Sequence, residues 1–515
     1  MKCRLNLFSV LQAVPLVSVL MLGYPSTRVL AQSSQTPGCE KLTAAQCVDQ
    51  ALAAMGGRDR LAALKSVRLD VIGHTELMEQ SYRQDPFITY YERDKVVLDL
   101  EHQRMLQNQH AVWPESDPGT AESDLTLIAT PNGGVYHVGD KFAPCSLADI
   151  DTARQDLGLG PERLLLNASA ATDLHYEAPK ELRSTMHTTV SFRWNSMVVR
   201  ILIHASSHLP DAVETVQQFH DFWYYWGDVR QVVYWENWNL DHGVRYPTNQ
   251  VIERNGKVWS STQALNVEFN VPIEEKDFAM DATAARKSTD SKGWDRGFES
   301  GHGTELAPGV ELFEGSWNAT LVKQDDGVIL LESPISSSFT AGLFAEAAKR
   351  YPGVPIKAVL STSDSWPHVG GIRYDVAQGA TVYIRDLNQP LLDRMLAAPH
   401  TIHPDALQQA KRAPRWHVVS GKTEIGSGDN RLVLYPLPGP STERQYMVYF
   451  PERHLLYASD TLVVNPDHTL YDPELVREVQ LAVEREHLVV DKVFAMHQGP
   501  VAWADVTTTL EKSSS

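Results

Sequence analysis

Residues 66–280 show short runs in which apolar and polar side chains alternate, separated by glycine, proline, asparagine and aspartate. A period of two is typical of half-buried strands, so this region is predicted to be a mainly antiparallel β domain with few helices. Single strands are predicted at 188–194, 197–204, 229–238 and 251–260.

A different pattern begins near residue 305, where short apolar runs alternate with amphipathic segments. Strands and helices that alternate in this way predict helices covering sheets. Strands are predicted at 310–312, 319–323, 328–331, 354–360, 381–384, 431–435, 446–450, 455–457 and, as the last one, 492–495. Helices are predicted at 339–350, at 372–377 with Gly379 as its cap, at 391–397, and from Asp472 onward.

Two segments outside these regions lack a core pattern. Residues 284–304 are rich in Gly, Ser, Lys and Asp and are predicted to be an interdomain linker. Residues 1–31 combine a basic start, an apolar stretch and the small-residue site Val29-Leu30-Ala31, which predicts a secretory signal peptide. An uncleaved membrane anchor is the alternative. The predicted domains are therefore 32–283 and 305–515, in a secreted or periplasmic protein with no stable membrane span in its mature form.

The first residues of the mature chain carry a capping box, Thr43-Ala-Ala-Gln46, which predicts a helix ended by Gly56-Gly57. Export to an oxidising compartment would permit a disulfide between Cys39 and Cys47. Cys145 is left over and is expected to be a buried apolar residue.

The net charge of the chain bears on which kinds of molecule it can bind. The chain has 64 acidic and 46 basic residues and a formal net charge of −18. Such a balance repels phosphate backbones, and the sequence has no run of Lys and Arg, so nucleic acid is not expected as a partner. A small molecule of unknown identity is the expected ligand.

The chemistry is concentrated in residues 359–372, which read Val-Leu-Ser-Thr-Ser-Asp-Ser-Trp-Pro-His-Val-Gly-Gly-Ile. This segment resembles the signature of the metallo-β-lactamase fold, Thr-His-x-His-x-Asp-His-x-Gly-Gly. The resemblance implies an αββα sandwich over about two-fifths of the chain and, in the family, a site for two zinc ions. The matching positions are Thr362, His368, Gly370 and Gly371, whereas Ser363, Ser365 and Pro367 replace two histidines and an aspartate.

The remaining ligand positions of the family follow later strands. By the same resemblance, Ser441 replaces a third histidine, while Asp460 and His497 match the bridging aspartate and the last histidine. The first metal thus keeps only hydroxyls, at Ser363, Ser365 and Ser441, and hydroxyls are poor zinc ligands. The second metal keeps His368, Asp460 and His497.

Three interpretations of this eroded site remain open. In the first, His368, Asp460 and His497 hold one zinc or other divalent ion, and the protein is a mononuclear metallo-hydrolase. In the second, no metal is bound, and the sandwich is a non-catalytic scaffold that binds a ligand or partner. In the third, one of the new serines acts as a nucleophile activated by a histidine.

The first domain carries no catalytic motif. The segment 55–66 and the strands after it resemble the amino-terminal domain of some exported metallo-β-lactamase-fold proteins and, loosely, the half-open β-barrel of periplasmic lipoprotein carriers. A set of aromatic residues here is expected either to line an apolar pocket or to fill the core of the sheet. Its members are Phe219, Phe222, Trp223, Tyr224, Tyr225, Trp226, Tyr234, Trp235 and Trp238.

Overall fold

A computed structural model describes residues 35–77, 88–112, 122–139, 141–290, 292–299, 301 and 303–513. The predicted signal peptide, residues 1–31, lies outside these ranges. In the described ranges, no helix is long and apolar enough to cross a membrane.

The first domain is built on one antiparallel sheet, in which the described residues form 13 strands. In chain order these are β1 (Ser66–Leu77), β2 (Ile88–Asp99), β3 (Arg104–Val112), β4 (Glu122–Thr130), β5 (Gly133–Val138), β6 (Lys141–Pro144), β7 (His175–Leu182), β8 (Thr185–Trp194), β9 (Met197–His204), β10 (Pro210–Gln217), β11 (Val229–Asp241), β12 (Val244–Arg254) and β13 (Lys257–Phe269). The strand order runs from β6 back to β1, then from β13 back to β7. The prediction of a mainly antiparallel β domain is confirmed.

Five helices accompany this sheet in the described residues: α1 (Ala44–Ala54), α2 (Arg58–Ala62), α3 (Leu147–Leu159), α4 (Leu164–Ala170) and α5 (Ala282–Asp290). Helix α1 begins at the predicted capping box of Thr43 and Gln46. The predicted disulfide between Cys39 and Cys47 is present, and Cys145 is free and buried. Both predictions are confirmed.

The single strand predicted at 251–260 is wrong, because the chain reverses there between β12 and β13. Asn255 and Gly256 form the turn, with φ angles of 49° and 81°. Two successive positive φ angles are typical of the tight turn that matches the twist of a hairpin, and Asn-Gly adopts it readily. The Asn-Gly dipeptide indicated a hairpin turn, but the alternating pattern continues on both sides of it and was interpreted as one strand.

Two sheets form the second domain. The first contains β14 (Thr304–Ala307), β15 (Val310–Phe313), β16 (Ala319–Gln324), β17 (Gly327–Leu331), β18 (Ile356–Leu360), β19 (Thr381–Arg385) and β20 (Arg415–Val419). The second contains β21 (Thr423–Ile425), β22 (Leu432–Pro436), β23 (Tyr446–Phe450), β24 (Leu455–Tyr457), β25 (Lys492–Ala495) and β26 (Gln498–Ala502). The helices are α6 (Ser337–Arg350), α7 (Trp366–Val369), α8 (Ile372–Gln378), α9 (Gln389–Ala397), α10 (Ala406–Ala410), α11 (Pro473–Arg485) and α12 (Trp503–Ser513).

Four layers result from the way these elements bury their apolar faces. Side chains such as Leu360 and Val448 pack between the two sheets. Helices α6, α8 and α9 pack on the outer face of the first sheet, and α11 and α12 on the outer face of the second. The predicted αββα sandwich, preceded by an antiparallel β domain, is confirmed, while the domain boundaries stay a prediction.

Three local differences from the predicted elements concern the connections. The strand 492–495 is not the last, since β26 and α12 follow it. The loop after β18 contains the short helix α7, with Pro367 in its first turn. Backbone nitrogens of the first turn have no partner within the helix, so a proline there costs no hydrogen bond. The predicted linker 284–304 begins inside α5, whose Ser288 accepts a 3.1 Å hydrogen bond from the backbone of Gly134. The polar composition of this segment predicted a linker, although its first residues belong to helix α5, which contacts the backbone of β5.

The aromatic set does not form one cluster. Phe219, Trp223, Tyr225 and Trp226 pack with residues of the second domain, whereas Trp235 belongs to the core of the first. Tyr224, Tyr225 and Trp226 lie on a 3-10 turn rather than on a strand. Most of this set therefore fills a core between the two domains.

Candidate metal centre

Three connections at one edge of the sandwich bring His368, Asp460 and His497 together. His368 lies in α7, just after β18, and Asp460 follows β24. His497 lies in the turn between β25 and β26, and β25 runs parallel to its neighbour β24. The carboxyl ends of neighbouring parallel strands meet at one edge, which places Asp460 and His497 side by side.

The carboxylate of Asp460 lies between the two imidazoles. Its Oδ2 is 3.1 Å from Nε2 of His368, and its Oδ1 is 3.2 Å from Nε2 of His497. One donor atom from each residue lies within 4.8 Å of the others. The side chain of His368 is buried, whereas those of Asp460 and His497 are 27% and 30% exposed, so the cluster is open to solvent on one side.

Charge is concentrated at this cluster. Burial opposes ionisation of Asp460, but the attraction and hydrogen bonds of His368 and His497 hold the pKa of Asp460 well below its usual value. Burial lowers the pKa of His497, but the hydrogen bond and attraction of Asp460 outweigh burial and raise it. A negative carboxylate is therefore fixed between two nitrogens, and this arrangement requires a cation or a proton beside it.

The second nitrogen of His497 fixes the orientation of its ring. Nδ1 of His497 lies 2.6 Å from the backbone oxygen of Ser316. Because a carbonyl oxygen only accepts hydrogen bonds, Nδ1 carries a proton, and Nε2 is left to bind a cation or a second proton. A metal-binding histidine commonly makes this kind of backbone contact. The donor set and its support therefore fit one divalent ion.

His368 differs from His497 in this respect. Its Nδ1 is buried and has no hydrogen-bond partner among the described residues. A neutral ring that donates from Nε2 to Asp460 would leave Nδ1 without a proton. This geometry is compatible with a hydrogen-bonded triad that holds no metal.

The positions of the first metal contain no suitable ligands. Oγ of Ser363 accepts a hydrogen bond from the backbone of Ser365, and the backbone of Ser441 donates to Glu478. Between these two loops, Nε of Arg444 lies 2.5 Å from Oδ2 of the buried Asp364. The carboxylate of Asp364 is already neutralised by a guanidinium, and that of Glu478 accepts hydrogen bonds from Ser441 and Thr442, so these residues do not fit a second divalent ion.

The buried side chain of Glu332 supports the loops that carry the cluster, and the sequence analysis did not identify it. Oε1 of Glu332, which directly follows β17, accepts hydrogen bonds from Oγ1 of Thr362 and from the hydroxyl of Tyr457. Thr362 Oγ1 also lies 2.7 Å from Oγ of Ser459, next to Asp460. Burial raises the pKa of Glu332 to about 8. The signal was an acidic residue at the end of a strand that is otherwise apolar.

Aromatic rings connect the cluster to the first domain. The ring of Trp317 is 5.9 Å from that of His497, and Trp294 is 5.5 Å from Trp317. Tyr225, from the first domain, is 6.0 Å from Trp294. Residues of both domains and of the predicted linker therefore form the surroundings of His497.

The two glycines of the signature, Gly370 and Gly371, are needed for close packing. Gly370 and Gly371 both have helical backbone angles that any residue adopts. A Cβ atom on Gly371 would lie 1.8 Å from Oγ1 of Thr340, and one on Gly370 would lie 2.5 Å from the backbone oxygen of Ile335. Only glycine lets α8 approach the start of α6 this closely.

Comparisons with known proteins gave matches to solved structures alone. No family model matches the chain, and no curated protein matches it in sequence. A metallo-β-lactamase from Erythrobacter litoralis is 16% identical over 42% of this chain and 98% of its own, with a TM-score of 0.32. One from Pontibacter korlensis is 17% identical over 41% and 96%, with a TM-score of 0.31. The sec-alkylsulfatase Pisa1 from Pseudomonas sp. is 17% identical over 40% of each chain, with a TM-score of 0.30. At these scores the matches carry no functional assignment.

Proposed function

We propose that the second domain is a metal-dependent hydrolase that uses one divalent cation held by His368, Asp460 and His497. The observation that carries the proposal is His497, which donates from Nδ1 to Ser316 and presents Nε2 to Asp460 at 3.2 Å. Two imidazoles and one carboxylate suit zinc or iron and leave positions open for water and substrate. Such an ion lowers the pKa of bound water to about 7 and polarises a carbonyl group.

The chain's own residues would orient the reactants. The carbonyl of Ser316 fixes the ring of His497, the ring of Trp317 packs against that of His497, and Trp294 packs against Trp317. These aromatic rings beside His497 favour a small molecule with an apolar part. The disulfide between Cys39 and Cys47 supports a secreted or periplasmic location for this activity.

A non-catalytic scaffold is the second candidate. It is favoured by the unpartnered Nδ1 of His368 and by the raised pKa of His497, because a protonated His497 balances Asp460 without a metal. A serine nucleophile has less support. His368 and His497 both direct Nε2 to Asp460, and the Nδ1 of His497 is bound to Ser316, so the described contacts pair neither ring with a serine hydroxyl.

Metal content separates the first two candidates. We expect about one bound divalent ion per chain after mild dialysis, in the native protein and in the control His110→Ala, whose ring lies on β3 of the first domain. His497→Ala should lose the ion, and a panel of esters, lactams and thioesters should be hydrolysed by the native protein but not after chelation. Two tightly held ions, or one retained in His497→Ala, would contradict the proposal. A native protein without metal would favour the scaffold.

A further inference from the structure

The first domain contains a cavity of about 260 Å³ that is separate from the metal centre. It lies between one face of the sheet, formed by β1, β2, β3, β11, β12 and β13, and the other wall, formed by α3 and the segment that joins α3 to α4. All of its lining residues belong to the first domain, from Leu69 to Ala264. The candidate metal ligands are not among them.

The lining combines negative charge with apolar surface. It holds four carboxyl groups, those of Glu92, Asp94, Asp156 and Glu162, and no Lys, Arg or His among the described lining residues. Apolar and aromatic side chains complete the wall, including Leu69, Val71, Val96, Leu98, Met105, Ile252, Trp235 and Tyr246. Arg163 is next to Glu162 in sequence, but its guanidinium donates to the backbone oxygens of Leu61 and Leu64.

Two of these carboxyl groups have an oxygen without a partner. Asp94 is 6% exposed, and its Oδ2 accepts from Gln107 at 2.8 Å, but Oδ1 has no partner among the described residues. Glu162 is 1% exposed, and its Oε1 accepts from the hydroxyl of Tyr246 at 2.6 Å, but Oε2 has none. Buried carboxylate oxygens are normally bonded, because leaving one unpaired is strongly unfavourable.

We propose that this cavity binds an organic cation, with an ammonium group among the four carboxyl groups of the lining and an apolar body against the wall. An ammonium group supplies hydrogen-bond donors for the carboxyl oxygens and the positive charge that the lining lacks. The aromatic rings of Trp235 and Tyr246 add to the apolar part of the wall. A metal ion fits less well. The one group of potential metal ligands found close together in the described residues is His368, Asp460 and His497.

Protons compete with this cation. Burial raises the pKa of Glu92 to about 7, that of Asp94 to about 6 and that of Asp156 to about 7, and it raises the pKa of Glu162 as well. Part of these groups therefore carries a proton at neutral pH. Binding of the cation favours the ionised carboxylates, so it releases protons.

The test uses hexylammonium as the probe and 1-hexanol and hexanoate as matched controls, with the full chain studied by titration calorimetry at pH 7. We expect hexylammonium to bind at least tenfold more tightly than 1-hexanol, to release protons in buffers of different ionisation enthalpy, and to exclude hexanoate. Asp94→Asn and Glu162→Gln should each weaken its binding about tenfold or more, as expected for a lost charge-assisted hydrogen bond. Glu268→Gln, an exposed residue that pairs with Arg68 on the same sheet, is the control and should change nothing.

Several outcomes would overturn the proposal. Equal binding of hexanol and hexylammonium would show an apolar pocket without charge recognition. Absence of hexylammonium binding to the native chain would show that the carboxyl groups are satisfied by protons alone. Unchanged binding in Asp94→Asn would also contradict it, and this variant decides the matter if Glu162→Gln does not fold after losing its bond to Tyr246.

Discussion

Arg444 donates a 2.5 Å hydrogen bond from Nε to Oδ2 of Asp364, whose side chain is 1% exposed. This pair joins the loop that carries Ser363 and Ser365 to the loop that carries Ser441. The loops that carry these three serines are thus bridged by an internal ion pair.

The first prediction concerns this pair. Asp364→Ala leaves the partly buried guanidinium of Arg444 unpaired, and we expect a loss of about 3 kcal/mol in the free energy of unfolding, measured with urea. The control is Asp326→Ala, which breaks the exposed pair with Lys357 and should change stability by less than about 1 kcal/mol. Equal losses in the two variants would show that the buried pair has no special role.

The second prediction concerns pH and Glu332. Its pKa is raised from 4.5 to about 8, so the folded state keeps a proton that the unfolded state releases above pH 4.5. Stability contributed by this group is therefore lost as pH rises from 4.5 to about 8, by a few kcal/mol at about 1.4 kcal/mol per pKa unit.

Glu332→Gln keeps the acceptor for Thr362 and Tyr457 but cannot ionise. Its stability relative to the native protein should increase steadily between pH 5 and pH 8, measured by urea unfolding of metal-free protein. Glu511→Gln, on the exposed face of α12, should follow the native protein at each pH. A pH-independent difference for Glu332→Gln would mean that Glu332 stays ionised.

The third prediction concerns the packing of α8 on α6. Gly371→Ala forces a Cβ against Oγ1 of Thr340 and Oγ of Ser333, and we expect it to lower the free energy of unfolding by about 2 kcal/mol or more. Gly421→Ala is the matched control, because no atom lies within 4 Å of its added Cβ. Thermal unfolding of both variants checks the difference. An unchanged melting temperature for Gly371→Ala would mean that the two helices separate easily.

The fourth prediction concerns the disulfide. The bridge between Cys39 and Cys47 holds the chain that leads into α1 against the first domain, and both cysteines are buried in its core. The double change of both cysteines to serine should lower the free energy of unfolding by about 2 kcal/mol, as for other short loops. Reduction of the native protein should give the same loss, whereas the double serine variant should not respond to reductant. Cys145→Ser, at the free cysteine, keeps the bridge and should respond as the native protein does.

The main architecture was predictable because it follows local patterns. Alternation predicted the antiparallel sheet, and the resemblance carried by residues 359–372 implied the sandwich. The hairpin at Asn255-Gly256 was missed because alternation continues through it, although the turn residues were present. Helix α3 was also overlooked, and its start at Ser146 and Asp149 is a capping box like the one that was recognised at Thr43.

The candidate site was predictable only at residues whose side chains are themselves typical metal ligands, namely histidine and aspartate. His368, Asp460 and His497 are brought together as the resemblance implied, while their role as metal ligands stays a prediction. Their supporting contacts join residues that are far apart in the chain, such as His497 with the backbone of Ser316. Every residue has a backbone carbonyl, so the sequence does not show which one contacts His497, and this contact is seen only in the folded structure.

Strand β1 occupies the middle of the sheet of the first domain, between β2 and β13. Val67 pairs with Phe269, roughly 200 residues later, so one side of β1 stays open until the last strand of the domain arrives. Such a distant closure slows folding, because loop entropy is lost before the contact is gained. A nascent chain that has not yet reached residue 257 would present β1 as a bare edge, the kind of surface to which other chains add strands.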